Sequence, residues 1–237
     1  MKHRLVLASH NAGKLRELQA LFDPQALHLE LLSPQGLGLT EPEEPFGTFL
    51  ENALHKARQA CAATGLPALA DDSGLSVNAL GGAPGVLSSA YAGLLRAAPG
   101  EAREALRQRQ DAANIARLQQ ELSVSAAGVP WREERRGPDG ARGARFVCTL
   151  VALRSAQDPE PLVAQGRWDG EILSAPRGQG GFGYDPVMWI TELGATVAEM
   201  GHDAKNSMSH RARAAALMRQ QMAQVWPFLE RHPLNLL

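Results

Sequence analysis

The 237-residue sequence carries no excess of either charge and contains few lysines and few cysteines. Its 24 Lys and Arg residues oppose 25 Asp and Glu residues, which leaves a formal net charge of -1. Sequence-independent binding to nucleic acid depends on an excess of cations that face phosphates. The near balance therefore excludes a general nucleic-acid binder, and no nucleic-acid polymer is expected as a partner.

Long apolar runs are absent as well. No segment approaches the roughly 20 apolar residues of a membrane-spanning helix, so no membrane partner is expected. The apolar stretch after Arg4 is too short for the core of a signal peptide. The two cysteines, Cys61 and Cys148, lack the spacing of metal ligands and are expected to be buried thiols. Together these features predict a cytoplasmic protein.

Lysine is scarce, since four of the cationic residues are lysines and 20 are arginines. A lysine supplies a compact point charge, whereas arginine supplies a planar, delocalised one. Lys14, Lys56 and Lys205 lie within polar motifs of the sequence, and Lys2 does not. This distribution predicts a small site for an anionic ligand.

Apolar strand patterns and helix patterns alternate along the chain, which predicts a mixed α/β fold. The apolar run at 5–8 is typical of a strand buried on both faces, and a helical leucine stripe follows it up to Phe22. Thr48 and Glu51 form a capping box that begins a helix expected to end at Gly65. Further strands are predicted at 66–70, 146–153 and 162–165, and a final helix at 209–226.

The segment 94–145 has a different composition. Residues 97–122 carry a thin apolar stripe on an otherwise polar helix. Residues 123–145 mix Gly, Pro and charged residues without a period, which is typical of a surface insertion. We expect a long helix followed by a surface elaboration without a function of its own.

The first polar motif lies between the first strand and the first helix. A phosphate loop would have a glycine at position 8 and Ser or Thr at position 15, so that pattern fails. Backbone N–H groups at a helix start and one lysine can still bind an anion. The alternative is an ordinary helix cap with a solvated lysine. The motif comprises Ser9, His10, Asn11, Ala12, Gly13 and Lys14.

Gly178, Gly180 and Gly183 match the dinucleotide-binding fingerprint, but their surroundings do not. Pro186 follows where a long helix should begin, and no β-α-β unit frames the glycines. We interpret the segment as a tight loop that positions Phe182, Tyr184 and Asp185. The alternative is a plain turn with Phe182 in the core.

Two adjacent carboxylates, Asp71 and Asp72, follow the strand predicted at 66–70. Such pairs commonly hold a hard cation or perform acid–base chemistry, and the alternative is a turn cap. Glu44 lies in an acidic loop, residues 37–47, and can add a second carboxylate ligand, since Mg²⁺ typically uses one or two. His202 and His210 are poorer metal ligands because the sequence offers them no third partner.

A cationic cluster opens the final helix. Lys205 precedes it by a few residues, and Ser209, His210 and Arg211 form its start. The helix dipole disfavours cations at this end. Residues that the local structure disfavours are more common at functional sites. We therefore interpret these cations as ligand contacts, and the alternative is charges exposed on the first turn of a helix.

Six segments form an ordered set over nearly the whole chain. In this order they resemble the inosine triphosphate pyrophosphatase family, also called Ham1-like. Each segment alone is a weak signal, whereas the set is highly specific. The segments are Ser9-x-Asn11-x-x-Lys14, Phe49-x-Glu51-Asn52-Ala53-x-x-Lys56-Ala57, Ala70-Asp71-Asp72-Ser73-Gly74-Leu75, Gly81-x-x-Pro84-Gly85-Val86, Gly181-Phe182-Gly183-Tyr184-Asp185-Pro186 and Ser209-His210-Arg211.

The resemblance implies one domain, residues 1–237, with an elongated mixed sheet flanked by helices and two lobes with an active-site cleft between them. It implies hydrolysis of non-canonical purine nucleoside triphosphates (ITP, dITP and XTP) to the monophosphate and pyrophosphate. Such a reaction cleanses the nucleotide pool. A Mg²⁺ cofactor and a homodimer are implied as well.

The resemblance also implies roles for residues of this sequence. Asp72 is implied as the general base and, with Glu44, as a metal ligand. Donors from His210 or Arg211 would suit the 6-oxo group of the purine, where adenine has an amine. The residues implied at the phosphates are Ser9, His10, Asn11, Ala12, Gly13, Lys14, Lys56 and Ser73. Those implied around the base and sugar are Phe182, Gly183, Tyr184, Asp185, Lys205, His210 and Arg211.

Two features depart from the family pattern. Ser88-Ser89-Ala90-Tyr91 stands where the family usually has Ser-Ala-Arg-Tyr, so an arginine is missing. The segment 94–145 is longer and more basic than the resemblance leads us to expect. Two alternatives to the enzyme are a nucleotide-binding protein that has lost catalysis and a related pyrophosphatase for modified pyrimidine nucleotides.

Overall fold

The computed structural model describes residues 3–22, 29–125 and 142–226. Within these ranges the chain forms one seven-stranded sheet, in the order β2-β1-β3-β4-β5-β6-β7, and five α-helices. The strands are β1 (His3–Ala8), β2 (Leu29–Leu32), β3 (Ala68–Val77), β4 (Gly143–Leu153), β5 (Leu162–Ile172), β6 (Met188–Ile190) and β7 (Ala195–Thr196). The helices are α1 (Ala12–Leu21), α2 (Phe49–Thr64), α3 (Arg103–Ser125), α4 (His202–Met208) and α5 (His210–Val225).

The chain divides into two compact units. Unit 1 consists of residues 1–72, 148–166 and 208–237, and unit 2 consists of residues 73–147 and 167–207. Strands β3, β4 and β5 contribute residues to both units. The mixed α/β fold predicted from the alternation of strands and helices is confirmed.

Unit 1 has helices on both faces of a parallel core. Strand β1 is parallel to both β2 and β3, and Ala8 pairs with Ala70. One apolar cluster contains Leu69 with residues of α1 and α5, and a second contains Ala70 with residues of α2. Because successive side chains of a strand point to opposite faces, Asp71 continues the face of Leu69 and Asp72 that of Ala70.

The ends of α2 follow the predicted capping chemistry, and the start of α5 has a side-chain cap that was not predicted. Thr48 Oγ1 accepts a hydrogen bond from Glu51 N at 3.2 Å, and Gly65 is the C-cap of α2. At α5, Ser209 Oγ accepts from Ala212 N at 3.2 Å. A side-chain oxygen at the N-cap satisfies one of the backbone donors that a helix start leaves unpaired. These contacts explain why both helices begin where the sequence predicts.

Unit 2 combines the remaining sheet with α3. Ile115, Leu118 and Leu122 of α3 are buried, as the thin apolar stripe predicts. The helix begins at Arg103 instead of residue 97. Residues 126–141 of the predicted insertion lie outside the described residues.

Two strand predictions are corrected by the structure, and three short elements were not predicted. The strand predicted at 66–70 does not end at Asp71 but continues as β3 to Val77. Strand β1 pairs with β3 only as far as Ala70. Strand β4 lies on the other side of β3, so β3 can continue as a strand after β1 has ended. Strand β5 extends beyond residue 165 to Ile172, and the short elements β6, β7 and α4 were not predicted because they contain only three, two and seven residues.

Both cysteines are free and buried, as expected. No helix among the described residues has the length and apolarity needed to cross a membrane.

Gly166→Ala is expected to lower the free energy of unfolding by about 2 to 3 kcal/mol, because overpacking forces the backbone apart. A Cβ at this position would lie 2.0 Å from His210 O and 2.6 Å from Ala214 N, both in the backbone of α5. Urea denaturation measures the change. Gly47→Ala is the control, since a Cβ there meets no atom within 4 Å, and equal losses in both variants would contradict this packing.

Candidate active site

The segment after β1 forms a capped helix start. Asn11 Oδ1 accepts hydrogen bonds from Gly13 N at 2.9 Å and from Lys14 N at 3.1 Å. The helix cap of the alternative interpretation is therefore present, and Asn11 Oδ1 binds two of the N–H groups that we considered for an anion. His10 Nε2 contacts Leu39 O at 2.9 Å and so joins this segment to the acidic loop. Among the other predicted residues of the segment, Ser9 and Gly13 are buried and Ala12 is exposed.

Asp71 binds two cations in the interior of unit 1. Lys14 Nζ lies 2.8 Å from Asp71 Oδ1, and Arg211 Nε lies 2.8 Å from Asp71 Oδ2. The thiol of Cys148 donates to the same Oδ2 at 3.2 Å. Burial alone would raise the pKa of Asp71, but Arg211 and Lys14 outweigh burial and hold that pKa well below its usual range. Lys14 is therefore held by a carboxylate and is not the solvated lysine of the alternative interpretation.

Arg211 is an interior residue, with 1% of its surface exposed. Besides Asp71, its guanidinium binds the carboxylate of Glu17 on α1. Burial alone would lower its pKa, and the two carboxylates outweigh burial and raise the pKa. This position suits a residue that holds Asp71 and α1 together. The predicted contact of Arg211 with a base stays a prediction.

Asp72 has a separate set of partners on the opposite face of β3. Lys56 Nζ lies 2.9 Å from Asp72 Oδ1 and 2.7 Å from Glu44 Oε1. Burial raises the pKa of Asp72, although Lys56 and Lys14 oppose that rise. Burial alone would lower the pKa of Lys56, but Asp72 and Glu44 raise it, so Lys56 stays protonated. A carboxylate with a raised pKa is a stronger proton acceptor.

Asn52 is a site residue that we did not assign from the sequence. Its Nδ2 donates to Asp72 Oδ2 at 3.3 Å and to Phe46 O at 3.2 Å, and its Oδ1 accepts from Phe46 N at 3.0 Å. The buried amide thus fixes the end of the acidic loop beside β3. The signal was present, because Asn52 lies one helical turn before Lys56 and must share its face.

The carboxylates of Glu44 and Asp72 contact the same ammonium group of Lys56. Two carboxylates that reach one cation supply the oxygen ligands that Mg²⁺ prefers, with waters and substrate phosphates completing its coordination. The donor set of this site therefore fits Mg²⁺. Across the described ranges, no group of three or more His, Cys, Asp or Glu residues is arranged to hold a metal ion.

A second predicted group lies in unit 2. Lys205 Nζ is 2.7 Å from Asp185 Oδ2, and the same oxygen accepts from Phe182 N at 2.9 Å. The ammonium also lies 4.6 Å from the centre of the Phe182 ring, within the range of a cation–π contact. Gly181 has a φ of +74°, and a Cβ there would lie 2.0 Å from Asp185 Oδ2. The loop therefore needs glycine at this position, as its interpretation as a tight turn predicts.

Tyr184 is buried, and its hydroxyl donates to Ser88 O at 3.0 Å. The turn around Ser88 is also held by Asn114 of α3, whose Nδ2 contacts Ser88 O at 3.2 Å and Ser89 O at 3.1 Å. Arg117 of α3 lies over the Tyr91 ring and binds Tyr91 O. The turn that contains Ala90, where the resemblance leads us to expect an arginine, is thus stabilised by side chains of α3.

The remaining predicted residues are placed as follows. His210 is the first residue of α5 and is buried in unit 1. Ser73 follows Asp72 in β3 and is partly exposed in unit 2. The structure brings Lys14, Lys56, Glu44, Asp72 and Arg211 into unit 1, and Phe182, Gly183, Tyr184, Asp185 and Lys205 into unit 2.

Comparison with known proteins identifies the family of the chain. Residues 5–221 match the Ham1 family, and the solved structure of a HAM1 protein from Coxiella burnetii superposes with a TM-score of 0.77. That structure is 36% identical, and the match covers 94% of this chain and 100% of the other. The chain therefore belongs to the Ham1 family, and the family predicted from the six segments is confirmed.

Curated relatives are more similar still. The dITP/XTP pyrophosphatase of Leptothrix cholodnii is 56% identical over 224 residues, which cover 94% of this chain and 98% of that protein. The dITP/XTP pyrophosphatase of Methylibium petroleiphilum is 54% identical over 223 residues, which cover 94% of this chain and 99% of that protein. Similarity thus extends over nearly the full length of the relatives.

Asp71→Asn is expected to lower the free energy of unfolding by about 3 kcal/mol at pH 7, because it removes the carboxylate that compensates the buried Arg211 and the partly buried Lys14. Urea denaturation followed by circular dichroism measures the change. Glu30→Gln is the control, since the Arg4–Glu30 pair is exposed on both sides and contributes less than about 1 kcal/mol. A loss for Asp71→Asn no larger than that of the control would contradict the assignment.

The same two proteins, wild type and Asp71→Asn, differ in their response to acid. An unfolded Asp has a pKa of about 3.9, and the pKa of Asp71 in the folded protein is lower. The ionised Asp71 carboxylate therefore adds to the free energy of unfolding above about pH 4. It is lost as pH falls through the folded pKa. The stability difference between the two proteins should therefore be constant near neutral pH and shrink below about pH 4.

Proposed function

We propose that this protein is a nucleoside triphosphate pyrophosphatase that hydrolyses non-canonical purine nucleotides (ITP, dITP and XTP) to the monophosphate and pyrophosphate. The observation that carries the proposal is the pair Asp71 and Asp72, two successive carboxylates of β3 that each bind a different lysine. Membership of the Ham1 family and relatives named dITP/XTP pyrophosphatase support it. Removal of such nucleotides would cleanse the nucleotide pool.

The chemistry of the reaction matches the residues of unit 1. Water attacks the α-phosphorus, a new P–O bond forms, and the bond from the α-phosphorus to the bridging oxygen breaks to release pyrophosphate. Asp72 accepts the proton of the attacking water, and its raised pKa favours that role. Lys14 and Lys56 supply positive charge for the phosphates. The Ser9 to Lys14 segment and Ser73 complete the proposed phosphate contacts.

Magnesium is the cofactor that we propose, held by Glu44 and Asp72. The metal would neutralise charge on the phosphate oxygens. The contact of both carboxylates with Lys56 supports this assignment, because it brings their oxygens to one cation. Chelation of metal by EDTA is expected to abolish turnover and added Mg²⁺ to restore it.

The proposed contacts to base and sugar are Phe182 to Asp185, Lys205, His210 and Arg211. Phe182 offers an aromatic face for stacking, and His210 or Arg211 offers a donor to a 6-oxo group, which adenine lacks. The homodimer and the cytoplasmic location belong to the same proposal and rest on the resemblance. Neither a nucleic-acid polymer nor a membrane is a proposed partner.

The activity is tested by incubating the purified protein and Mg²⁺ with a panel of inosine, xanthosine, guanosine and adenosine triphosphates and of modified pyrimidine triphosphates. Release of pyrophosphate from the first two, at rates well above those for the others, is expected. Pyrophosphate and phosphate are measured separately. Release of phosphate, or equal rates on all purines, would contradict the proposal.

Two further outcomes of this panel identify the alternatives. Preference for the pyrimidine nucleotides would indicate the related pyrophosphatase, and binding of inosine triphosphate without turnover would indicate a protein that has lost catalysis.

Asp72→Asn is expected to keep the fold and lower kcat by about 10²- to 10⁴-fold, because the amide cannot accept the proton of the attacking water. Steady-state kinetics with inosine triphosphate measures the effect, and circular dichroism verifies the fold. Asp169→Asn, which changes an exposed carboxylate 3.5 Å from Arg145, is the matched control. Activity of Asp72→Asn at the wild-type rate would refute Asp72 as the base.

A further inference from the structure

Asp111 is a carboxylate of α3 that none of the predicted motifs contains. Its Oδ2 accepts a hydrogen bond from Gly183 N at 2.8 Å. Gly183 lies 72 positions further along the chain, in the loop 181–186, which we name the Phe182 loop. A residue of the long helix in the atypical segment 94–145 therefore contacts the backbone of a proposed ligand-binding loop.

Asp185, a residue of the Phe182 loop itself, stabilises the shape of the loop. Asp185 Oδ2 accepts from Phe182 N at 2.9 Å and from Lys205 Nζ at 2.7 Å. These bonds set the shape of the loop and the distance between Phe182 and Lys205. They join the loop to α4 but do not join it to α3.

Asp111 supplies that external attachment. A groove of about 520 Å³ is lined by α3 and by loop residues that include Phe182 and Gly183, so dense apolar packing does not fill the space between them. A hydrogen bond to a carboxylate is directional and stronger than one between neutral groups. The Asp111–Gly183 bond is therefore a directional attachment of the loop backbone to α3, beside the contact of Arg107 with the Phe182 ring at 5.6 Å.

A second attachment lies on the same helical face. Asn114, three residues after Asp111, donates to Ser88 O at 3.2 Å, and Tyr184 OH donates to that same oxygen at 3.0 Å. Residues three apart on a helix are neighbours on its surface. Gly183 thus contacts α3 directly through Asp111, and Tyr184 is linked to α3 indirectly, because it and Asn114 donate to the same Ser88 oxygen.

We propose that Asp111 is a positioning residue that anchors the Phe182 loop to α3 and so sets where the loop, and with it the Phe182 ring, lies relative to α3. Its effect on a ligand rests on the proposed function, in which Phe182 and Lys205 contact the purine and sugar. Asp111 itself acts through the loop. Loss of the anchor therefore weakens substrate binding and leaves the chemical step at Asp72 nearly unchanged.

The test compares Asp111→Ala with Asp111→Asn. The alanine variant lacks an acceptor, so KM for inosine triphosphate should rise about tenfold with kcat changed less than about threefold. The asparagine variant keeps an amide oxygen that accepts from Gly183 N, so its KM should stay within about threefold of wild type. Asp169→Ala removes an exposed carboxylate of unit 2 and is the matched control. An unchanged KM in Asp111→Ala, or an equal rise in Asp111→Asn, would overturn the proposal.

Hydrogen exchange of the full chain gives a readout that does not need catalysis. Asp111→Ala should accelerate exchange in the peptide containing 181–186, whereas Asp111→Asn should not. Equal acceleration throughout unit 2, or unfolding of both variants, would assign Asp111 to general stability and overturn the anchor. If the wild type hydrolyses no nucleotide, the proposed function fails, and the exchange of the Phe182 loop still decides the role of Asp111.

Discussion

The alternation of side chains along β3 is the constraint on which the rest of the site depends. Asp71 and Asp72 are neighbours in sequence, yet they point to opposite faces of the sheet. Asp71 therefore meets cations from α1 and α5, and Asp72 meets Asn52 and Lys56 from α2. Two carboxylates that would repel each other as neighbours on one face are each neutralised by separate partners.

The two carboxylates consequently differ in character. Asp71 is held as an anion by Arg211 and Lys14, which suits a structural and charge-placing role. Burial raises the pKa of Asp72, which suits proton transfer. Pairs of titratable groups whose surroundings push their pKa values apart are typical of acid–base sites. The chemistry proposed for this enzyme thus follows from the face of the sheet on which each carboxylate lies.

Much of this arrangement could be predicted from the sequence, because it depends on local patterns. Apolar patterns and capping residues predicted β1, α2 and α5, and the ordered segments predicted the family. The continuation of β3 through Asp71 and Asp72 could not be predicted, since it depends on pairing with distant strands. The burial of Arg211 beside Glu17 and the contact of Asp111 with Gly183 are likewise long-range contacts without a local signal.

The contact of Lys56 with both Glu44 and Asp72 has a consequence for ligand entry. A phosphate that approaches Lys56 must share its three donor hydrogens with two carboxylates already bound there. A divalent cation bound by those carboxylates would neutralise their negative charge and leave the Lys56 ammonium available to the phosphate. Metal and triphosphate would then assist each other's binding, so that each raises the apparent affinity of the other.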